Sequence, residues 1–426
     1  MDENISEDNV DAAPEHEKII PKCRYFGECG GCSAQHVPYE LQLKNKLNFV
    51  MSKLKKQTVE LPENWTIGIS NDKEYNYRNR MDLIFCNEGL GLRRKDKFYK
   101  IVPISRCEIS NEKLNRFIVE INSWFEENKD SLDVFDIKAK SGTLKYALIR
   151  APEFSDNSTI SFVINIESSR AEEHIELLKK FSDKTSAKNV VISKVPAKLD
   201  ESVSRDCYAV KGSIMLDEIF SGGMDTQSRF SHDYIFHSQG FFQNNSKVAQ
   251  KMVEYTRDIF AEFGPEVTSN ATLLDLYGGV GTFGIASANL FKECLVAEAF
   301  SESIDCAKIN IEKNKLSNAS AVCIDATYIK NSDETYKIIS RAKDLFVLTD
   351  PPRSGMHPKT IRFLQEISPK VIVYVSCNPE QMAKELRFFR NYEIRSLRVF
   401  DMFPQTNHIE SIIELVKARE RKEFLS

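Results

Sequence analysis

The sequence predicts a two-part protein in which an α/β domain with a seven-stranded, mostly parallel sheet follows an α+β domain with an antiparallel sheet. From about residue 271 onward, apolar strand-like runs alternate with helical segments. Between about residues 66 and 240 the runs are shorter and of mixed pattern, as in "RMDLIF" and "TISFVINI". A chain of 426 residues is long enough for two or three domains with sizeable cores.

Composition predicts a globular enzyme without a membrane span. Hydrophobic residues make up 42% and charged residues 28% of the chain, and no apolar run approaches the roughly 18 residues that a span needs. Residues 1–21 form an acidic segment that we expect to be disordered and that does not resemble a secretory signal. We therefore expect a cytoplasmic monomer whose ten cysteines are not disulfide-bonded. The net charge of −4 does not by itself indicate a nucleic-acid partner.

The strands of the α/β domain can be assigned in order along the chain. Helical segments separate the first five, and the last two follow one another through a Pro-containing loop, which predicts an antiparallel final strand. Such a sheet binds its ligand beyond the carboxyl ends of its strands. The candidate strands are 272–277, 294–299, 321–325, 345–350, 371–376, 394–401 and 409–417.

A glycine-rich turn and three strand-end acids predict a site for S-adenosylmethionine. The segment "DLYGGVGTFG" (275–284) follows the first strand and departs from the G-x-G-x-x-G pattern of dinucleotide sites. Its glycines permit a tight turn and close approach of a ligand to backbone N–H groups. Glu298 is suited to a ribose diol, Asp325 to an adenine amino group, and Asp350 ends the fourth strand. The alternative is that these acids only cap loops.

Cys377 lies where the fifth strand meets a helix that Asn378 and Pro379 begin, so the helix dipole should favour its thiolate. Most free cysteines are inert and buried, but this position at the ligand edge of the sheet indicates a nucleophile. A thiolate that adds to C6 of a pyrimidine makes C5 nucleophilic toward a sulfonium methyl group. A base must then remove the C5 proton, and Glu410, at the start of the last strand, is the candidate, with His408 two residues earlier.

The amino-terminal cysteines predict a metal site. Cys23, Cys29 and Cys32 lie on one Gly-rich turn, and Cys107, Cys86 or His36 could supply the fourth ligand. Spacing alone does not separate zinc from an iron–sulfur cluster, because both accept four thiolates.

With these motifs together, the chain resembles the RNA uracil-5-methyltransferases, which make 5-methyluridine in ribosomal and transfer RNA. The resemblance covers about residues 22–417 and is carried most specifically by "DPPRSGMHPKTI", "VSCNPEQMAKEL" and "DMFPQTNHIE". It implies a Rossmann-like S-adenosylmethionine-dependent methyltransferase domain and a central RNA-binding domain that carries a 4Fe–4S cluster. The implied cluster ligands are Cys23, Cys29, Cys32 and Cys107.

The resemblance also implies roles for other residues. Cys377 would be the nucleophile and Glu410 the base. The implied donor contacts are Gln243, Tyr277, Thr282, Glu298, Asp325 and Asp350. The predicted domains are 22–34 with 67–240 for the iron–sulfur and RNA-binding part, and 35–66 with 241–426 for the catalytic part.

The chain departs from the family in two respects. Only about 22 residues precede Cys23, too few for the small RNA-binding barrel found there in many members, and Gln405 occupies a position that is often His. The central domain is then expected to hold RNA, with Phe98 and Tyr99 available to stack on unpaired bases. The candidate basic residues are Arg78, Arg80, Arg93, Arg94, Lys95, Lys97 and Lys100. Two other functions are weighed: an RNA cytosine-5-methyltransferase, and a non-catalytic metal-ribbon protein that binds RNA.

Overall fold

The computed structural model of the protein describes residues 19–59, 61, 66–223 and 229–418. The helices are α1 (Tyr39–Lys56), α2 (Glu112–Glu127), α3 (Ala171–Ser182), α4 (Ser246–Ala261), α5 (Pro265–Thr268), α6 (Thr282–Ser287), α7 (Ser301–Lys313), α8 (Asp333–Ser340), α9 (Pro358–Ile367) and α10 (Pro379–Leu386). Within the described ranges, no helix is both long enough and apolar enough to cross a membrane. The predicted disordered tail at 1–21 lies almost entirely outside them.

The strands form two large sheets and one separate hairpin. The strands are β1 (Thr66–Ser70), β2 (Arg80–Cys86), β3 (Gly89–Arg94), β4 (Lys97–Pro103), β5 (Leu144–Arg150), β6 (Thr159–Asn165), β7 (Asn189–Val195), β8 (Cys207–Lys211), β9 (Met215–Gly222), β10 (Phe230–His237), β11 (Thr272–Leu276), β12 (Glu293–Glu298), β13 (Ala319–Cys323), β14 (Leu345–Thr349), β15 (Val371–Ser376), β16 (Tyr392–Phe400) and β17 (Glu410–Lys417).

The larger sheet has the order β1-β16-β17-β15-β14-β11-β12-β13. Strands β11 to β15 pair in parallel, and β17 runs antiparallel to both of its neighbours, as the sequence predicts. The prediction of seven strands is wrong. The sheet has eight strands among the described residues, because β1 adds a parallel strand beside β16. The run "TIGIS" is short and contains a glycine, and only the tertiary partner β16 makes it a strand.

Apolar layers cover both faces of this sheet. On one face the hairpin of β9 and β10 contributes Phe220 and Tyr234 to the core. On the other, Val50 and Leu54 of α1 pack into the cluster that includes Tyr374. Segments that precede residue 241 thus belong to the core of the larger sheet, while the predicted domain boundaries themselves stay a prediction.

The smaller sheet has the order β4-β3-β2-β5-β6-β7-β8 and packs against α2 and α3. Its pairs are antiparallel, as predicted, except that β6 and β7 pair in parallel. A parallel pair needs a crossover, and α3 supplies it between these two strands.

Candidate active site

The carboxyl ends of the central strands of the larger sheet lie along one edge. Thr349 of β14 is in register with Leu276 of β11 and with Tyr374 of β15. Ser376, the last residue of β15, faces Ser411 near the start of β17. Residues that follow β11, β14 and β15 and those that begin β17 therefore gather at this edge.

The glycine-rich turn after β11 has a backbone that most side chains would not tolerate. Gly279 and Gly281 have φ values of +56° and +84°, and Tyr277 itself lies at +58°. Gly281 then begins α6 by accepting the N–H of Ile285 at 2.9 Å. The glycine N–H groups of this turn bond within the protein: Gly278 donates to the Ala297 carbonyl at 3.1 Å and Gly281 to the Gly278 carbonyl at 2.8 Å.

Two of the predicted donor contacts differ in how they are held. The Glu298 carboxylate accepts N–H groups from Gly279 at 3.2 Å, Ala299 at 2.7 Å and Phe300 at 3.0 Å, so its orientation toward the glycine turn is fixed. Asp325 is exposed, lies two residues beyond β13, and caps a short 3-10 turn by accepting the Thr327 N–H at 2.8 Å. Asp325 thus makes the kind of loop-capping contact that the alternative to a donor site predicts.

Sequence reasoning missed Asp275, the buried acid at the start of the glycine motif. Its Oδ2 accepts the Gly284 N–H at 3.0 Å, while Oδ1 has no partner among the described residues. Burial raises the pKa of Asp275 to about 8, and the charges of Asp350 and Glu298 add to the rise. A charged residue inside an otherwise apolar strand was the signal that could have found it.

Of the other three predicted donor contacts, Tyr277 and Thr282 flank the glycine turn after β11, whereas Gln243 precedes α4. The hydroxyl of Tyr277 donates to Thr360 Oγ1 at 3.4 Å, and Thr282 begins α6. The carbonyl of Gln243 accepts the side-chain amide of Asn79 at 3.0 Å, which ties this residue to the strand segment that leads into the smaller sheet.

Asp350 follows β14, and burial raises its pKa to about 7, with the Glu298 charge as the second cause. The loop after it is fixed to α10, because buried Glu385 accepts the Met356 N–H at 3.0 Å. Tyr374 donates its hydroxyl to the same carboxylate at 2.7 Å. The Asp350 loop and the Cys377 turn are therefore held as one unit.

Cys377 follows β15, and α10 begins directly after it. Asn378 caps this helix by accepting the Gln381 N–H at 3.3 Å and donates its amide to the Arg353 carbonyl at 3.0 Å. The expectation of a thiolate favoured by the helix dipole is wrong for the free protein. Burial raises the pKa of the Cys377 thiol to about 11, Glu410 and Asp350 raise it further, and Arg353 only partly offsets them.

Glu410 begins β17 beside the end of β15, and its negative charge raises the pKa of Cys377. Burial raises the pKa of Glu410 well above its ordinary value, Asp350 adds to the rise, and Arg353 opposes it. A carboxylate in this environment is a stronger base once it is ionised. His408 is exposed and packs against Phe403, with ring centres 5.8 Å apart.

The structure brings four cysteines to a separate cavity of about 350 Å³ at the smaller sheet. Cys23, Cys29, Cys32 and Cys107 line it, whereas Cys86 and His36 are not among its lining residues. Arg78, Arg80 and Arg106 also line the cavity and bring positive charge to it.

The thiols of this cavity repel one another when ionised. Burial raises the pKa values of Cys23, Cys29 and Cys32, and the Cys107 thiolate raises each of them further. No described group of three or more His, Cys, Asp or Glu side chains has the arrangement that would hold a single metal ion. The cavity nevertheless brings four thiols and three arginines together, and thiolates are ligands of both zinc and iron–sulfur clusters.

Most of the predicted basic residues have partners inside the protein. Arg80 pairs with Asp82 at 2.8 Å, and Arg93 pairs with Asp200 at 2.7 Å. On the hairpin of β3 and β4, Arg94 lies 3.5 Å from Glu28, but the hairpin exposes 72% of Phe98, the second residue of β4. Its other exposed side chains are Arg94, Lys95, Asp96, Lys97, Tyr99 and Lys100. A cationic and aromatic surface is thus concentrated on this hairpin.

Comparison with known proteins identifies relatives of this arrangement. The family model described as tRNA (Uracil-5-)-methyltransferase matches residues 206–418. An RNA methyltransferase of Caldanaerobacter subterraneus subsp. tengcongensis is 32% identical over 94% of this chain and 86% of its own length. The tRNA (uracil(54)-C(5))-methyltransferase of Pyrococcus abyssi is 31% identical over 94% of this chain and 86% of its own length.

A solved structure is similar as well. The crystal structure of the Pyrococcus abyssi tRNA (uracil-54, C5)-methyltransferase in complex with S-adenosyl-L-homocysteine matches with a TM-score of 0.70 and 28% identity. The match covers 91% of this chain and 86% of that one. The mixed α/β methyltransferase fold is therefore common to both.

Proposed function

Because the chain belongs to the tRNA (uracil-5-)-methyltransferase family, we propose that it methylates C5 of a uridine in transfer RNA through a covalent adduct of Cys377. The enzyme class, an RNA (uracil-5-)-methyltransferase that uses S-adenosylmethionine, follows from the family. That class excludes the cytosine-5 and non-catalytic alternatives. The observation that carries the proposal is the meeting of Cys377 and Glu410 at adjacent strand ends beside Asp350.

We propose that the glycine turn and the strand-end acids hold the methyl donor. Glu298, Asp325 and Asp350 would bind its polar groups, with Gln243, Tyr277 and Thr282 completing the pocket. The Glu298 carboxylate, which accepts three backbone N–H groups, fits a ligand that donates hydrogen bonds. When bound, S-adenosylmethionine supplies an electrophilic methyl group.

The chain's own residues then carry out addition and elimination. The Cys377 thiolate forms a bond to C6 of the uracil, and the displaced electron pair makes C5 nucleophilic. After C5 has gained its methyl group, the Glu410 carboxylate removes the C5 proton. The electron pair of that C–H bond restores the C5–C6 double bond as the bond between sulfur and C6 breaks.

The RNA class is tested by methyl transfer to defined transcripts. We expect incorporation into a transfer RNA transcript, at a uridine equivalent to the position 54 named for the Pyrococcus relatives, and loss of incorporation when that uridine is replaced by cytidine. Ribosomal RNA fragments serve as the competing substrates. Methylation of the ribosomal fragments alone would contradict the transfer RNA assignment.

We further propose that Cys23, Cys29, Cys32 and Cys107 hold a 4Fe–4S cluster. Three observations support this proposal: the four cysteines line one cavity, arginines line it as well, and cysteines outnumber the carboxylates Asp82 and Glu108 there. A bound cluster would supply a structural cross-link between the cysteine turn and the segment that carries Cys107, since the methyl transfer itself needs no electrons.

The cluster is tested by the metal content of protein purified without oxygen. We expect about four iron and four sulfide per chain, lost in Cys107→Ala. Cys86→Ala is the matched control, because Cys86 does not line the cavity and should retain the iron. Zinc without sulfide in the wild-type protein, or equal iron loss in both variants, would contradict this assignment.

We also propose that the β3–β4 hairpin binds RNA by stacking and charge. Its exposed Phe98 and Tyr99 lie nearly perpendicular, 6.2 Å apart, and Lys138 lies 5.4 Å above the Tyr99 ring. Aromatic faces stack on unpaired bases, and the lysines complement phosphates. The backbone of this hairpin is joined to the cysteine turn, since Gly30 N–H donates to the Arg93 carbonyl at 3.0 Å.

Replacing both Phe98 and Tyr99 by Ala should weaken RNA binding roughly tenfold or more, because stacking contributes about 1–3 kcal/mol per base. We expect KM for RNA to rise while kcat at saturating RNA stays within about twofold. Phe388→Ala removes an aromatic side chain that is also exposed but lies after α10, and it should leave KM unchanged. Equal effects of the two changes would contradict a specific role for the hairpin.

A further inference from the structure

The segment 401–409 joins β16 to β17 and ends at the proposed base; we refer to it as the base loop. Phe400 and Glu410, which flank it, are paired directly across the two antiparallel strands. Because Glu410 is the first residue after the base loop, the conformation of the loop determines where its carboxylate lies.

Other parts of the chain hold the base loop through the Asp401 carboxylate and through four of its backbone carbonyls. Buried Asp401 accepts Lys46 Nζ at 2.5 Å and the Tyr39 hydroxyl at 2.9 Å. The next four carbonyls all accept hydrogen bonds from outside the loop. The pairs are Met402 with Asn245 at 3.2 Å, Phe403 with Lys46 at 3.1 Å, Pro404 with Tyr77 at 2.9 Å, and Gln405 with the N–H groups of Ser33 and Ala34 at 3.0 Å each.

Gln405 makes the largest number of these contacts and has an unusual backbone. It is only 1% exposed, and its φ of +66° is one that residues other than glycine rarely adopt. Its N–H donates to Gln42 Oε1 at 3.1 Å, and its own Oε1 accepts Gln42 Nε2 at 2.9 Å. A strained backbone of this kind persists where the surrounding contacts determine it completely.

The same network reaches the cysteine turn. Ser33 and Ala34, whose N–H groups donate to Gln405, directly follow Cys32, and Gln42 also donates to the Ala34 carbonyl at 3.1 Å. Gln35 accepts the Cys23 N–H at 3.0 Å. The segment that carries three of the cavity cysteines and the base loop are thus bonded to each other through Gln405.

We infer that Gln405 is a positioning residue for Glu410, and that through it the cysteine turn fixes the base in place. The inference rests on the proposed function. Proton removal requires the base to lie within hydrogen-bond reach of the C5 proton, so a small displacement of the base loop slows this step. The turn that carries Cys377 is held by other contacts: β15 and α10 flank it, and the neighbouring Asn378 donates its amide to the Arg353 carbonyl. Loss of the Gln405 contacts therefore slows elimination and leaves addition intact.

The first experiment compares Gln405→Met, which keeps the side-chain length but loses the amide, with Asn407→Ala, an exposed position in the same loop. With RNA that carries 5-fluorouridine, both variants should form the Cys377 adduct within about twofold of the wild-type rate. With ordinary RNA, Gln405→Met should accumulate adduct and lose at least about tenfold in kcat, with KM for RNA within about threefold. Asn407→Ala should behave as wild type. If adduct formation and turnover fall together in Gln405→Met, or neither changes, the positioning role is overturned.

Gln405→Gly separates backbone strain from the side-chain contacts, because glycine adopts the positive φ without strain. We expect it to lose turnover as Gln405→Met does. Wild-type turnover in Gln405→Gly would show that the amide contacts are not needed and would overturn the positioning role.

The second experiment measures amide hydrogen exchange in Cys32→Ser. Exchange in peptides covering 401–406 should become at least about tenfold faster than in the wild type, while peptides covering α7 stay unchanged. Unchanged exchange in 401–406, or faster exchange throughout the chain, would overturn the link to the cysteine turn. This result does not depend on catalysis; absence of any adduct in the wild-type chain would instead overturn the proposed function.

Discussion

Cys377→Ala is expected to lower methyl transfer by at least about 10⁴-fold, because without addition to C6 the C5 atom of uracil stays a poor nucleophile. The measurement is transfer of labelled methyl groups to RNA at saturating concentrations of both substrates. RNA binding should change little, since the proposed RNA-binding hairpin lies at the smaller sheet.

Covalent trapping distinguishes loss of the nucleophile from general damage. With RNA that carries 5-fluorouridine, the wild-type chain should form a stable adduct, because C5 then has no proton to lose. Cys323→Ala is the matched control, since Cys323 is an exposed cysteine at the carboxyl end of β13 on the same edge, and it should trap as wild type does. If Cys377→Ala still forms the covalent adduct, Cys377 is not the nucleophile.

The raised pKa of Cys377 gives this prediction a pH dependence. A thiol with a pKa of about 11 is ionised to only about one part in 10⁴ at pH 7, and the ionised fraction rises about tenfold per pH unit below the pKa. Alkylation of Cys377 in the free protein should therefore accelerate about tenfold between pH 7 and 8. A rate that is already maximal at pH 7 would contradict it.

Glu410→Gln is expected to stop the reaction at the adduct. Addition and methyl transfer need only Cys377 and the donor, whereas release needs a base, so product release should fall about 10²- to 10⁴-fold. The adduct with ordinary RNA should then persist on a denaturing gel, and a single turnover should precede the stall.

His408→Gln is the control for this prediction, because His408 lies two residues from Glu410 and its imidazole is also able to accept a proton. It should release product at nearly the wild-type rate. In the wild type, the release rate should fall as the pH drops through the raised pKa of Glu410, since the protonated carboxyl accepts no proton. Persistent adduct in His408→Gln alone would move the base to that residue.

Strong local patterns made most of the larger sheet predictable. Apolar runs bounded by helix caps, such as 371–376 followed by Asn378 and Pro379, identify a buried strand and a helix start without tertiary information. Strand β1 could not be found this way, because a five-residue run gains its hydrogen bonds only from β16, far along the chain. The same holds for the β9–β10 hairpin, whose apolar side chains pack under the larger sheet and not under the smaller one.

The candidate site was predictable in its residue types but not in its electrostatics. Sequence reasoning selected Cys377 and Glu410 from the strand-end pattern and from family resemblance. The ionisation of Cys377 depends on how deeply the thiol is buried and on which carboxylates face it, and both are properties of the folded edge. The apolar strand around Asp275 is a sequence signal for that residue, but its unpartnered oxygen is a property of the fold, since it depends on the bond of the other oxygen to Gly284.

The sequence by itself determined the kinds of chemistry that this protein holds: a cysteine at a strand-to-helix turn, a glycine turn with acids after it, and a cluster of cysteines. Residue type and local spacing carry that information, because strand, turn and cap preferences act over a few residues. Only the tertiary structure decided which of these groups meet. It brought Cys107 and not Cys86 to the cysteine cavity, and it joined the cysteine turn to the base loop through Gln405. Those contacts link segments that are far apart in the chain, and packing of the whole chain is what creates them.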